Sequence, residues 1–108
     1  MNSDNNGVSN AFQAFFTEAP AHSQAWMQMV QGLSKSSALD KKTEALAYLA
    51  VLAALRMESG VPFHVAMAKK LGASREEVVS AILVGLPAAG HSVTQCLPAA
   101  LKAYDAAQ

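Results

Sequence analysis

The stretch LDKKTEALAYLAVLAALRMESGVPFHVAMAKKLG, Leu39 to Gly72, decides the fold. Asp40 reads as a helix N-cap, because its carboxylate can accept from backbone donors two or three residues on. Lys41, Lys42 and Glu44 are then the only charged side chains before Arg56. From Ala45 to Leu55 the run is apolar nearly all round, apart from the Tyr48 hydroxyl. A helix of that kind is expected to be central, packed on more than one side. Glu58-Ser59-Gly60 breaks it, and Pro62 suits the first turn of the next helix, where a missing N–H costs nothing. In that helix Val61, His64, Val65, Ala68 and Leu71 share one face at helical spacing. Gly72 ends it by supplying the left-handed cap conformation.

Before this stretch the chain reads as a cover. Residues 1–9 form a polar tail rich in Asn and Ser, with little to bury. A first short helix is expected from Asn10 to Glu18, with Phe12, Phe15 and Phe16 as packing anchors. A second starts at Pro20 and runs through Ala25, Trp26, Met29, Val30 and Leu33, with Gly32 and Ser34-Lys35-Ser36-Ser37 ending it.

Beyond Gly72, Ser74 and Glu77 stand at capping-box spacing and open a fifth helix, whose buried side is Val78, Val79, Ile82, Leu83 and Leu86. Gly85, Pro87 and Gly90 kink or stop it before His91. A last helix is expected from Ser92 to about Ala106, bending near Pro98. With no alternating run and no hairpin dipeptide, the fold class is all-α: one compact bundle of about six helices over residues 10–108.

The 108 residues carry 52% hydrophobic and only 15% charged side chains. That is too little charge to coat a small monomer, so burial against copies of itself is expected. Net charge is zero and no basic stripe is interleaved with aromatics, which argues against nucleic acid as a partner. The tail lacks the charge and apolar core of a signal peptide, and the Ala45–Leu55 run is about half of what a membrane span needs. A soluble, cytoplasmic protein is the expectation. Cys96 is the only cysteine, so one subunit has no disulfide and no redox pair.

His64 is the first candidate for chemistry, since an imidazole in a semi-apolar setting titrates near neutrality and exchanges protons. The plain alternative is a buried neutral histidine satisfied by a backbone carbonyl. Glu58, in the break before the helix, is placed to hold His64's tautomer, or simply to favour a helix dipole. His91 follows a helix break where a loop can face a pocket; otherwise it is a partly solvated helix-start residue. His22 reads as solvated surface, and Cys96 as an inert packed thiol. No His-x-x-x-His or Glu-x-x-His spacing announces a metal, and no cofactor motif is present.

The pieces LDKKTEALAYLAVLAALR, FHVAMAKKLGAS, REEVVSAIL and PAAGHSVTQCLPAALKAYD together resemble the carboxymuconolactone decarboxylase and alkylhydroperoxidase D-like family, over roughly residues 38–105. The resemblance implies a small helical core assembled as a homotrimer or homohexamer, and His64 matches the family histidine. It also implies, for the peroxidase branch, a C-x-x-C pair and a glutamate. Those cysteine positions fall on Met57 and Gly60, and the glutamate position on Ala45, with Glu44 about 100° round the helix. The family thus points to a decarboxylase or isomerase of a small carboxylated lactone or ring acid, with His64 as proton donor or acceptor and Glu58 or His91 assisting. One alternative is a peroxiredoxin-type antioxidant, disfavoured because the thiol pair is missing. Another is a non-catalytic ligand-binding or structural oligomer.

Overall fold

The computed structural model describes residues 8–108, so the tail expected over residues 1–9 lies outside it except for Val8 and Ser9. The helices are α1 (Asn10–Glu18), α2 (Pro20–Ser36), α3 (Lys41–Ala54), α4 (Val61–Lys70), α5 (Arg75–Leu83), α6 (Leu86–Ala89) and α7 (Leu97–Ala106). Glu58–Gly60 and His91–Cys96 are 3-10 turns. No strand occurs among the described residues, and none of their helices is long and apolar enough to cross a membrane.

Local chemistry sets most boundaries. The Ser9 hydroxyl accepts the Phe12 N–H at 3.1 Å and starts α1. Phe12, Phe15 and Phe16 gather on Trp26 of α2 with ring centroids 5.0 to 6.4 Å away, tying the first two helices into a hairpin. Helix α2 passes through Gly32 and ends at Ser36, inside the expected Ser34–Ser37 stretch. A mid-helix glycine costs about 1 kcal/mol, which the surrounding turns tolerate. Asp40 caps α3 through the Thr43 N–H at 2.8 Å. The Ser74–Glu77 box opens α5 with both arms made, at 3.0 and 2.9 Å, and Glu77 also meets Lys42 at 3.0 Å.

Two helix ends share one geometry. After α4, Gly72 sits at φ +100°, and Ala73 N–H reaches the Ala68 carbonyl at 3.0 Å. After α3 the same arrangement is built on Arg56 at φ +58°, with Met57 N–H donating to the Leu52 carbonyl at 2.9 Å and Arg56 N–H to Ala53 at 3.1 Å. A left-handed arginine carries a steric cost that glycine avoids. Arg56→Gly is therefore expected to leave the fold unchanged and raise unfolding free energy by about 0.5–1 kcal/mol. Urea denaturation measures it, and a loss of stability would show that the arginine side chain contributes more than its backbone costs.

The C-terminal third departs from the sequence expectation. Helix α5 stops at Leu83, a single helical turn with Pro87 follows, and Gly90 turns the chain at φ +82°. The expected helix from Ser92 with a bend at Pro98 is instead a 3-10 segment, and α7 begins at Leu97 with Pro98 in its first turn. Proline has no N–H to give and its ring crowds the preceding turn, so an α-helix begins around it more readily than it runs through it.

Leu49, Leu52 and Ala53 of α3, Val61, Val65 and Ala68 of α4, Val78 and Ile82 of α5, and Val93, Cys96 and Ala100 further on form one core. Across it, the Tyr104 hydroxyl donates to the Ala73 carbonyl at 2.8 Å, while Lys69 Nζ donates to the Tyr104 and Ala107 carbonyls. This closes α7 onto the end of α4. The central role expected for α3 holds on one side only. Its inner row is buried against α4 and α5, but Tyr48, Val51 and Leu55 remain 45%, 52% and 62% exposed.

Candidate functional site

His64 lies in the first turn-and-a-half of α4, and its position follows from the packing of that helix. Val61, Val65 and Ala68 are fully buried, and they fix the helix's rotation. His64 is turned about 100° from Val65, onto a neighbouring row with Met67 and Leu71. The face read from sequence therefore splits in two: three residues enter the core, His64 is half-buried at its edge, and Leu71 is 39% exposed.

Two rings hold the imidazole. Tyr48 of α3 lies with its ring centroid 4.4 Å from that of His64, tilted by 46°. Phe63 meets it edge-on at 5.2 Å and 86°. Tyr48 was visible in the sequence only as the one hydroxyl in an apolar run, and nothing in the spacing linked it to His64. Packing of α3 on α4 across the short Arg56–Gly60 connection makes the link.

Burial pushes the His64 pKa below the ordinary histidine value of about 6.5, because the charged form loses water on entering this apolar edge. The neutral imidazole therefore dominates at neutral pH. Among the described residues no charged neighbour offsets the effect. Tyr48→Ala is expected to open the ring to water and move its pKa back up toward 6.5. Proton NMR titration of the His64 ring reads this directly, and an unmoved pKa would mean that Tyr48 does not shield it.

The other sequence candidates stand apart from His64. Glu58 is exposed in the 3-10 turn before α4, and among the described residues it makes no hydrogen bond to the imidazole. Its charge is felt instead at Cys96, where it adds to burial in pushing the thiol pKa up. His91 is exposed at the start of the second 3-10 segment, where its carbonyl accepts the Thr94 hydroxyl at 2.8 Å. His22 is exposed on α2. Cys96 is fully buried in the core and unpaired. Among the described residues no cluster of three His, Cys, Asp or Glu side chains could hold a metal ion.

The site is thus a half-buried neutral imidazole framed by two aromatic rings on an all-helical scaffold, in a chain whose one thiol is buried and kept protonated. The model of the carboxymuconolactone decarboxylase family matches residues 20–108, and the chain belongs to that family. The match begins at α2, well before the segment whose motifs carried the resemblance. No curated protein and no solved structure matches the chain.

Proposed function

We propose that this family member decarboxylates or isomerises a small carboxylated lactone or related ring acid, working as a homo-oligomer. His64 carries the proton. The observation that supports this is the neutral imidazole held in an apolar, aromatic-walled position at the protein edge. In an isomerisation a neutral histidine takes a proton from one carbon and returns it to another. In a decarboxylation the C–C bond breaks with its electron pair left on carbon as an enolate, carbon dioxide departs, and the imidazole passes on a proton taken up from solvent to that carbon. Apolar walls favour the loss of carbon dioxide, since a carboxylate gives up its charge more easily out of water. Glu58 and His91, which among the described residues make no hydrogen bond with the ring, would act on the substrate rather than on His64.

Peroxide reduction through a disulfide cycle is opposed by the same chemistry. It needs an accessible, low-pKa thiolate and a resolving partner, whereas Cys96 is buried with a raised pKa. A ligand-binding oligomer without catalysis has one observation in its favour: no hydrogen bond among the described residues fixes the tautomer of His64.

The deciding experiment follows the ultraviolet absorbance of carboxymuconolactone with wild type and His64→Gln. Turnover in the wild type that is lost in the variant supports the proposal. A wild type that binds this lactone without consuming it would leave the binding reading in its place.

A further inference from the structure

The Tyr48 hydroxyl is the only polar side-chain group between Ala45 and Leu55, in a helix that otherwise offers hydrocarbon alone. The chain's other tyrosine, Tyr104, spends its hydroxyl on the fold by donating to the Ala73 carbonyl at 2.8 Å. Tyr48 makes no hydrogen bond among the described residues and is 45% exposed. Its ring nevertheless stands 4.4 Å from that of His64, tilted by 46°, with no hydrogen bond between the two. A phenol with a free proton thus stands beside an imidazole with a free lone pair. A phenol holds its proton at neutral pH, so it can donate where a neutral imidazole accepts.

From this pairing we infer that Tyr48 is a further catalytic residue, whose phenol donates a hydrogen bond to the substrate oxygen that turns negative as the enolate forms. In decarboxylation the C–C bond to the carboxyl group breaks, its electron pair is delocalised onto the neighbouring carbonyl oxygen, and carbon dioxide leaves. In isomerisation the same oxygen gains charge when His64 removes the proton. Tyr48 keeps its own proton in both cases, and the electron pair returns to carbon when His64 delivers one there. The surroundings favour a neutral donor in this role. Among the described residues no charge acts on His64, and Glu44, one turn before Tyr48 on α3, pairs with Lys41 at 3.8 Å. A cation at this place would bind the substrate's carboxylate before reaction and stabilise the state that has to be left. A phenol bonds more strongly to an oxyanion than to a neutral carbonyl, so its contribution grows as the reaction proceeds.

The role of Tyr48 rests on the proposed chemistry at His64, and Tyr48→Phe separates it from mere shielding. Phenylalanine removes one oxygen from a side chain that is 45% exposed and leaves the ring beside His64, so helical circular dichroism is expected to be unchanged. Turnover of carboxymuconolactone is expected to fall on the order of 10²-fold in kcat with KM little changed, the low end for one oxyanion donor because water reaches this edge. The His64 pKa, read by proton NMR, is expected to stay where it is. Wild-type kcat overturns the inference, as does a raised KM alone, which would make the hydroxyl a plain binding contact. A fall in kcat accompanied by a moved His64 pKa also overturns it, since the hydroxyl would then act through the imidazole.

A second measurement needs no turnover. The anion of 4-nitrophenol presents a ring-bound oxyanion in place of the enolate, and at about pH 8 His64 is neutral and cannot attract it by charge. The wild type is expected to bind this anion about 10-fold more tightly than Tyr48→Phe does, the scale of one hydrogen bond to a charged group. Nitrobenzene, which lacks the oxygen, is expected to bind both proteins alike. Equal affinity of the two proteins for the anion overturns the inference, and so does a wild type that does not bind it. If the wild type consumes no lactone yet keeps its preference for the anion over Tyr48→Phe, the oxyanion contact stands and the proposed reaction falls.

Discussion

Replacing His64 by glutamine is expected to lower turnover of a carboxylated lactone by about 10²–10⁴-fold, the usual contribution of a positioned acid–base group. Glutamine keeps a hydrogen-bonding end and much of the side chain's bulk but cannot exchange a proton. The pH profile gives a second, independent reading. Burial holds the His64 pKa below about 6.5, so the imidazole becomes available as a base above that lowered value. If proton abstraction limits the rate, kcat rises with pH through a pKa below 6.5 and stays level above it. Activity falling as pH rises through that region would instead assign the limiting step to a protonated His64. Stability carries the same signature. With the folded pKa depressed, the unfolded chain binds more protons in the window from the folded pKa up to about 6.5. Stability is therefore full above 6.5 and is lost as pH falls through that window, and His64→Gln removes this part of the slope. A variant that keeps wild-type turnover would end the assignment of the chemistry to His64.

How far the sequence could be read depended on the range of the physics at each place. Helix starts were legible because a cap is chemistry within three or four residues: Asp40 and Ser74 both cap as their spacing implied. Proline is legible as a helix opener at Pro20 and Pro62, yet at Pro98 the local pattern points to a bend where the residue in fact opens α7. What differed there was the preceding segment, which closes as 3-10 turns after Gly90, and no local pattern distinguishes that from α-helix. The buried row of α4 was legible by periodicity, whereas the exact edge of the row was not. His64 lies beside the core instead of in it because Val65 and Ala68 took the interior. Tyr48, its closest ring, was out of reach of sequence reasoning: it lies 16 residues earlier and meets His64 only through the packing of α3 on α4. Glu58 shows the converse. Sequence proximity suggested a partner for His64, but the turn exposes the carboxylate and leaves its charge to act on Cys96.

Leu49→Ala is expected to be the most damaging substitution to the fold, costing about 2–5 kcal/mol. Leu49 is fully buried on the inner row of α3, in the same core as Val65, Val78 and Ile82. Truncation removes burial of several carbons and leaves a cavity that packed helices on both sides cannot fully close. A domain of this size has roughly 5–15 kcal/mol in total, so the loss is a large share of it. It corresponds to a fall in Tm of about 10–20 °C. Calorimetry must compare the variants at equal protein concentration, since association of folded chains raises Tm by mass action. The informative partner is Val51→Ala, two residues on and on the opposite face of the same helix. Within one chain Val51 is 52% exposed, so its truncation costs the isolated fold little. If a second copy covers that face, the Val51→Ala deficit grows with protein concentration, while the Leu49→Ala deficit reflects the core at every concentration. A Leu49→Ala loss below about 1 kcal/mol would mean that the core collapses around the missing side chain, and that α3 is not the rigid member on which Tyr48 and His64 are set.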